Sequence, residues 1–146
     1  MTVENEHCNA AGTLRDAGLS QTTQRMAVLN VMIEADGPLS ASEILNRTDS
    51  RQKINKVTVY RILSSLKEHR IIRELPTDQG TNLYEMACRH NPIHPHFYCK
   101  TCRIMSCLPP LTLSQALDLF AGPNTFRIDD VHVHVNGVCF QCRERL

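Results

Sequence analysis

The sequence predicts an α+β chain of two modules. The first is a winged helix-turn-helix over residues 1–86, and the second a small α/β dimerisation domain over residues 94–146, with a hinge at 87–93. Three observations carry this. Helical periodicity up to residue 69 gives way to a two-strand pattern. Two C-x-x-C pairs, Cys99/Cys102 and Cys139/Cys142, bracket the second half. Basic residues concentrate in the first half and thiols in the second, and Asn91-Pro92 interrupts regular structure near the join.

In the first module, Thr22 to Ala35 carries apolar Met26, Leu29 and Ile33, with Val28 and Met32 beside them, which is helical spacing with a broad buried face. Asp36-Gly37-Pro38 ends that helix. Ser40-Ala41-Ser42-Glu43 reads as a capping box opening a second helix to about Asn46. A polar loop from Thr48 to Ile54 follows. Asn55 then caps a third helix to about His69, with Val59, Ile62, Leu63 and Leu66 as one stripe and Val57, Tyr60, Arg61 and Ser64 on another. Ile71–Leu75 and Asn82–Met86, around a Gly-containing turn, predict a hairpin. Three helices and a hairpin are the winged-helix order, whose last helix fits a major groove. A plain three-helix packing module explains the periodicity equally well, so charge has to decide.

Whole-chain charge points the wrong way. The 146 residues carry a formal +1. Between Arg47 and Arg73, however, eight Lys/Arg face only Asp49 and Glu68. A local excess of that size suits phosphate neutralisation better than it suits a merely solvated face. Double-stranded DNA is therefore the expected partner.

In the second module, Ile104–Leu108 predicts a strand. Thr112–Gln115 resembles a capping box for a helix to Phe120, stopped by Gly122-Pro123. Phe126–Val135 predicts a strand with Val131, Val133 and Val135 on one face and His132 and His134 on the other. A unit this small needs a metal and a partner subunit to complete it.

Composition narrows the class. Apolar residues make up 42% and charged residues 21%, so the chain is not of disordered type; with no Trp, its core must be mainly aliphatic. Met1–Glu6 is polar and acidic, so no secretory signal is expected, and no apolar run suits a membrane span. A cytoplasmic protein is expected. There, seven cysteines point to metal or catalysis rather than to disulfides.

Two C-x-x-C turns can present four thiolates to one tetrahedral ion, so Cys99, Cys102, Cys139 and Cys142 predict a closed structural zinc site. Cys88, His90, His94 and His96 form a second cluster near the join. Histidines at i and i+2 on a strand face the same way, so His94 and His96 can share an ion, Cys88 can add a thiolate, and Glu74 or Cys107 can complete the shell. A metal drawing ligands from both modules would make their angle metal-dependent, as a sensor requires. The deaminase pattern and H-E-x-x-H are absent, which argues against a zinc enzyme; a thiol oxidoreductase using one C-x-x-C is the remaining enzyme alternative.

Gly18-Leu19, Thr22, Gln24-Arg25, Thr58-Val59-Tyr60-Arg61-Ile62-Leu63, His94-Pro95-His96-Phe97-Tyr98-Cys99-Lys100-Thr101-Cys102 and Gly137-Val138-Cys139-Phe140-Gln141-Cys142 together resemble the ferric uptake regulator family. The resemblance implies a homodimeric, metal-dependent repressor acting on palindromic operators, not an enzyme. It implies DNA contacts by Arg25, Lys56, Thr58, Tyr60 and Arg61. Ser20 stands where many members have a basic residue. The spacing of Cys88 ahead of His94 and His96 is similar to the zinc uptake branch, and thiolate favours zinc over ferrous or manganous ion. Glu74 lies near the acidic ligand of that branch, whereas Glu85 resembles the glutamate of the iron-type site. A zinc-responsive repressor of metal-uptake genes is thus expected, holding about two zincs per subunit, one structural and one regulatory. An iron- or peroxide-responsive regulator is the same-family alternative.

Overall fold

The computed structural model describes residues 8–48, 50–88, 91–120 and 131–145. They divide into two compact units, Met1–Asn91 and Pro92–Leu146.

The first unit opens with a helix the periodicity does not predict, α1 (Ala10–Asp16). Its signals lie at its ends. The Asn9 side chain accepts from the Gly12 amide, and Gly18 takes the left-handed conformation just past the last turn. Helix α2 (Thr23–Glu34) is capped by Thr22. A two-residue strand, β1 (Leu39–Ser40), precedes α3 (Ala41–Arg47). The capping box is complete: Glu43 N donates to Ser40 Oγ at 3.2 Å and Ser40 N to Glu43 Oε2 at 2.8 Å. The expected polar loop contains a 3-10 turn, Ser50–Gln52.

Helix α4 (Lys56–Glu68) starts where the Asn55 carboxamide accepts from the Thr58 amide at 2.8 Å. It ends in a left-handed Arg70, with Ile71 N reaching back to Leu66 O and Arg70 N to Lys67 O. Strands β2 (Ile72–Leu75) and β3 (Leu83–Met86) form the wing hairpin, and β1 adds to β3 in the order β1-β3-β2. Val28, Leu29, Ile44, Val59, Leu63 and Leu66 are at most 1% exposed. Helices α2, α3 and α4 thus close one aliphatic core beneath the sheet, with each fully buried side chain contributing roughly 1.5–3 kcal/mol.

The second unit is a three-stranded sheet in the order β5-β4-β6, formed by β4 (His96–Cys99), β5 (Met105–Cys107) and β6 (His134–Gly137). Strand β4 is antiparallel to β5 and parallel to β6. Helix α5 (Leu113–Phe120) lies between β5 and β6 in the chain, and its cap is reciprocal: Thr112 N donates to Gln115 Oε1, and Gln115 N to Thr112 Oγ1. The predicted Gly122-Pro123 stop and residues 126–130 of the predicted last strand lie outside the described residues. The strand itself begins later than alternation suggests, at His134, because register with β4 rather than the valine pattern sets its length. The chain closes on α6 (Phe140–Arg143).

Candidate metal centres and nucleic-acid face

The four cysteines of the two C-x-x-C pairs converge, with every ligand sulfur within 4.8 Å of the others. Cys99 ends β4, Cys139 caps α6, and the β4–β6 pairing sets Cys99 opposite Gly137, which brings the two turns together. Gly137 packs closely here, since a methyl group at its α-carbon would meet the Phe97 ring at 3.2 Å. Cys99 Sγ accepts from Cys139 N at 3.3 Å and Cys102 N at 3.5 Å. The amides of Cys102 and Cys139 hold the Cys99 thiol down at about 6, so it is a thiolate at neutral pH. Burial pushes Cys142 up to about 12. The Ile104 amide pulls Cys102 down, yet the Cys99 sulfur and burial carry it above its ordinary value. Cys102 and Cys139 sulfurs stand 3.7 Å apart. Two thiolates on one tetrahedral ion at about 2.3 Å would stand about 3.8 Å apart. The donor set and its spacing therefore fit zinc.

A second cluster lies on the same sheet. His94, His96 and Cys107 bring their ligand atoms within 4.8 Å of one another. Strand register explains this: Cys107 is the cross-strand partner of His96 in β5, and His134 its partner in β6. The His94 and His96 rings are 4.5 Å apart and both are buried. Because a carbonyl only accepts, His94 Nδ1–H donates to Pro92 O at 2.7 Å, so Nε2 carries the ring lone pair that could hold a metal. Burial, with His96 and His132 nearby, lowers the pKa of His134. Two imidazoles and a thiolate make a soft-to-borderline donor set.

The remaining sequence candidates fall in the first unit. Glu74 Oε1 accepts from Asn82 at 2.6 Å and from the Tyr84 hydroxyl at 3.3 Å, and Oε2 pairs with Lys67. The Lys67 hydrogen bond holds the Glu74 carboxyl below its ordinary range. Burial and the Glu74 charge push Tyr84 up to about 12. Glu85 is buried and takes Arg73 Nη2 at 2.9 Å and Nε at 3.0 Å on one oxygen. Cys88 Sγ lies 2.8 Å from Cys8 Sγ, a neighbour sequence reasoning did not assign. His90 lies outside the described residues.

Helix α4 presents an exposed face. Lys56, Val57, Tyr60 and Arg61 are exposed, Tyr60 by 45%, and Val57, Tyr60, Arg61, Ser64, Ser65 and Glu68 line a shallow groove. Thr58 is half-buried at the first turn, held by the Asn55 cap. Arg25 is turned onto its own chain, donating to Ser20 O at 3.1 Å and Ser20 Oγ at 2.5 Å. An exposed aromatic between cations on a helix backed by a wing is suited to base edges and phosphates together.

A winged-helix unit with such a helix, in one chain with clustered cysteines and histidines, defines a metal-binding regulator that reads DNA. The chain belongs to the ferric uptake regulator family, whose family model matches residues 16–106. It is 26% identical over 136 residues to the ferric uptake regulation protein of Campylobacter upsaliensis, covering 90% of this chain and 85% of that one. It is 24% identical over 145 residues to the peroxide-responsive repressor PerR of Staphylococcus saprophyticus, covering 99% and 96%. Its fold is similar to that of the Helicobacter pylori ferric uptake regulator, whose structure reveals three functional metal binding sites. That likeness has a TM-score of 0.72 at 23% identity and covers 91% of this chain and 88% of that one. Members of the family are transcriptional regulators rather than enzymes, and they bind DNA as dimers.

Proposed function

We propose that this chain is a zinc-responsive repressor that acts as a homodimer on palindromic operators of metal-uptake genes in the cytoplasm. The observation that carries the zinc reading is the thiol at Cys107, placed by register beside His96 and His94. With Cys88 as fourth ligand the regulatory site would be a Cys2His2 set, which tetrahedral zinc accepts readily and ferrous ion binds more weakly. Glu74 is the weaker candidate for that place, because Lys67, Asn82 and Tyr84 already engage both its oxygens. The four-cysteine site holds the second, structural zinc. The buried glutamate Glu85 favours the alternative reading, an iron- or peroxide-responsive regulator, and so do the names of the curated relatives.

Exposed apolar side chains in the second unit suit a subunit interface: Ile104, Val135 and Phe140 are 54%, 43% and 69% exposed. Metal and operator binding are reciprocally linked, so each tightens the other. The deciding experiment selects operator duplexes from a random pool with zinc-loaded protein. It then titrates operator binding against buffered free zinc, ferrous and manganous ions. Activation by zinc at the lowest free concentration is expected, and activation by ferrous ion at a lower concentration than zinc overturns the reading. Cys107→Ser should raise the zinc needed for half-maximal binding at least tenfold while the fold, checked by circular dichroism, is kept.

A further inference from the structure

The first unit holds a thiol pair whose spacing belongs to another chemistry. Cys8 and Cys88, eighty residues apart in sequence, bring their sulfurs to 2.8 Å, and both are half-buried against the aliphatic core. Each is anchored by its neighbours. Cys8 directly precedes Asn9, whose side chain accepts from Gly12 N at 2.8 Å and whose carbonyl accepts from Thr13 Oγ1 at 2.7 Å. The Cys88 carbonyl accepts from Asn91 N at 2.9 Å, Asn91 Nδ2 donates to Met86 O at 2.7 Å, and Arg73 Nη2 holds Asn91 O at 2.9 Å.

Distance separates two readings of the pair. Thiolates sharing one tetrahedral zinc stand about 3.8 Å apart, as Cys102 and Cys139 nearly do at 3.7 Å. Cys8 and Cys88 are well inside that edge, and a closing movement of under about 1 Å reaches the roughly 2.05 Å of a sulfur–sulfur bond. The geometry points to a reversible dithiol–disulfide site between Cys8 and Cys88 that responds to hydroperoxides. The thiolate of one cysteine attacks the peroxide, an O–O bond breaks, and a sulfenic acid forms with loss of one water. The second thiolate then attacks the sulfenic sulfur, the S–O bond breaks, and a second water leaves as the S–S bond forms. The net reaction takes two thiols and hydrogen peroxide to one disulfide and two waters. A cellular dithiol reverses it by exchange. If Cys88 is a zinc ligand, as the preceding reading holds, the disulfide withdraws it and loosens the regulatory zinc.

The test treats the full-length zinc-loaded protein with a few-fold excess of hydrogen peroxide. The product is alkylated, digested with trypsin under non-reducing conditions and analysed by mass spectrometry, while zinc released to a chromogenic chelator is followed in parallel. Tryptic residues 1–15 and 74–89 each carry one cysteine, so the linked species is unambiguous. We expect that peptide to form, to disappear with dithiothreitol and to be absent from Cys8→Ser. Release of about one zinc per chain should accompany it, at least tenfold slower in Cys8→Ser. Alkylation of Cys88 without linkage to Cys8, or its pairing with another cysteine instead, overturns the site. Linkage with zinc fully retained upholds the redox pair and overturns the role of Cys88 as a ligand.

Discussion

Single side chains set the chemistry of both units. Arg73 and Glu85 form a buried pair, 13% and 5% exposed at their side chains, and Arg73 also ties down Asn91 O. Truncating one partner strands the other in a low-dielectric site. Arg73→Ala should therefore lower stability by about 3 kcal/mol in urea unfolding, and a loss under about 1 kcal/mol would mean the pair is solvent-screened. At the cysteine cluster, Cys99 enters zinc binding already charged, whereas Cys102 and Cys142 enter as thiols. Uptake of zinc at pH 7 should then release at least two protons per four-cysteine site, measurable with a pH indicator in weak buffer; release of one or none contradicts the assignment. The sign for Cys99 follows from its lowered pKa. Its contribution to folding is complete above about 9 and is lost as pH falls through about 6. Because Cys99 is already a thiolate above about 6, protons compete with zinc for its sulfur only below that pH, where zinc retention should weaken further.

At the scale of elements, what could be read from sequence was what local chemistry dictates. Helices α3 and α4 announce themselves through Ser40/Glu43 and Asn55, because a cap is a contact within four residues. Helix α1 escaped because Gly12 and a single strong apolar residue, Leu14, give it little periodicity, although Asn9 and Gly18 mark its ends. The ligand neighbourhood of His96 depends on pairing with Cys107 and His134, and register between distant strands leaves no local trace. The cysteine pairs were readable because C-x-x-C encodes both ligand and turn. The proximity of Cys8 to Cys88 was not, since eighty residues separate them. Two predictions belong here. Asn55→Ala should cost about 1 kcal/mol by removing the cap on the Thr58 amide, seen as a lower urea midpoint. In DNA binding by α4, Tyr60→Ala should reduce discrimination between operator and random duplex, while Lys56→Ala should weaken both equally and lower the salt slope by about 1. If neither substitution changes binding, α4 is not the reading helix.

For the molecule as a whole, the two units differ in what holds them together. The first has a continuous aliphatic core from α1 to the wing. In the second, Cys99 and Cys142 of the four-cysteine cluster are buried, as are His94, His96 and Tyr98. A metal closed in by four thiolates would add its binding energy to the folding of this unit. Stripping the four-cysteine site with a strong chelator should therefore abolish amide-exchange protection in β4 and β6 while α2 to α4 keep theirs. Equal loss in both units would show that the first depends on the second.

The separation of Cys102 from Cys139 also carries a consequence for biosynthesis. Their sulfurs meet across 37 positions of chain, so the metal knuckle cannot close until the second pair has been made. At roughly 5–20 residues per second, ribosomes deliver the second pair about 2–8 s after the first. During that interval the whole first unit has been synthesised, while Cys99 and Cys102 lack the other half of their ligand set. The order of synthesis thus makes metal capture at the four-cysteine cluster a late step, taken after the unit that carries the reading helix has been made.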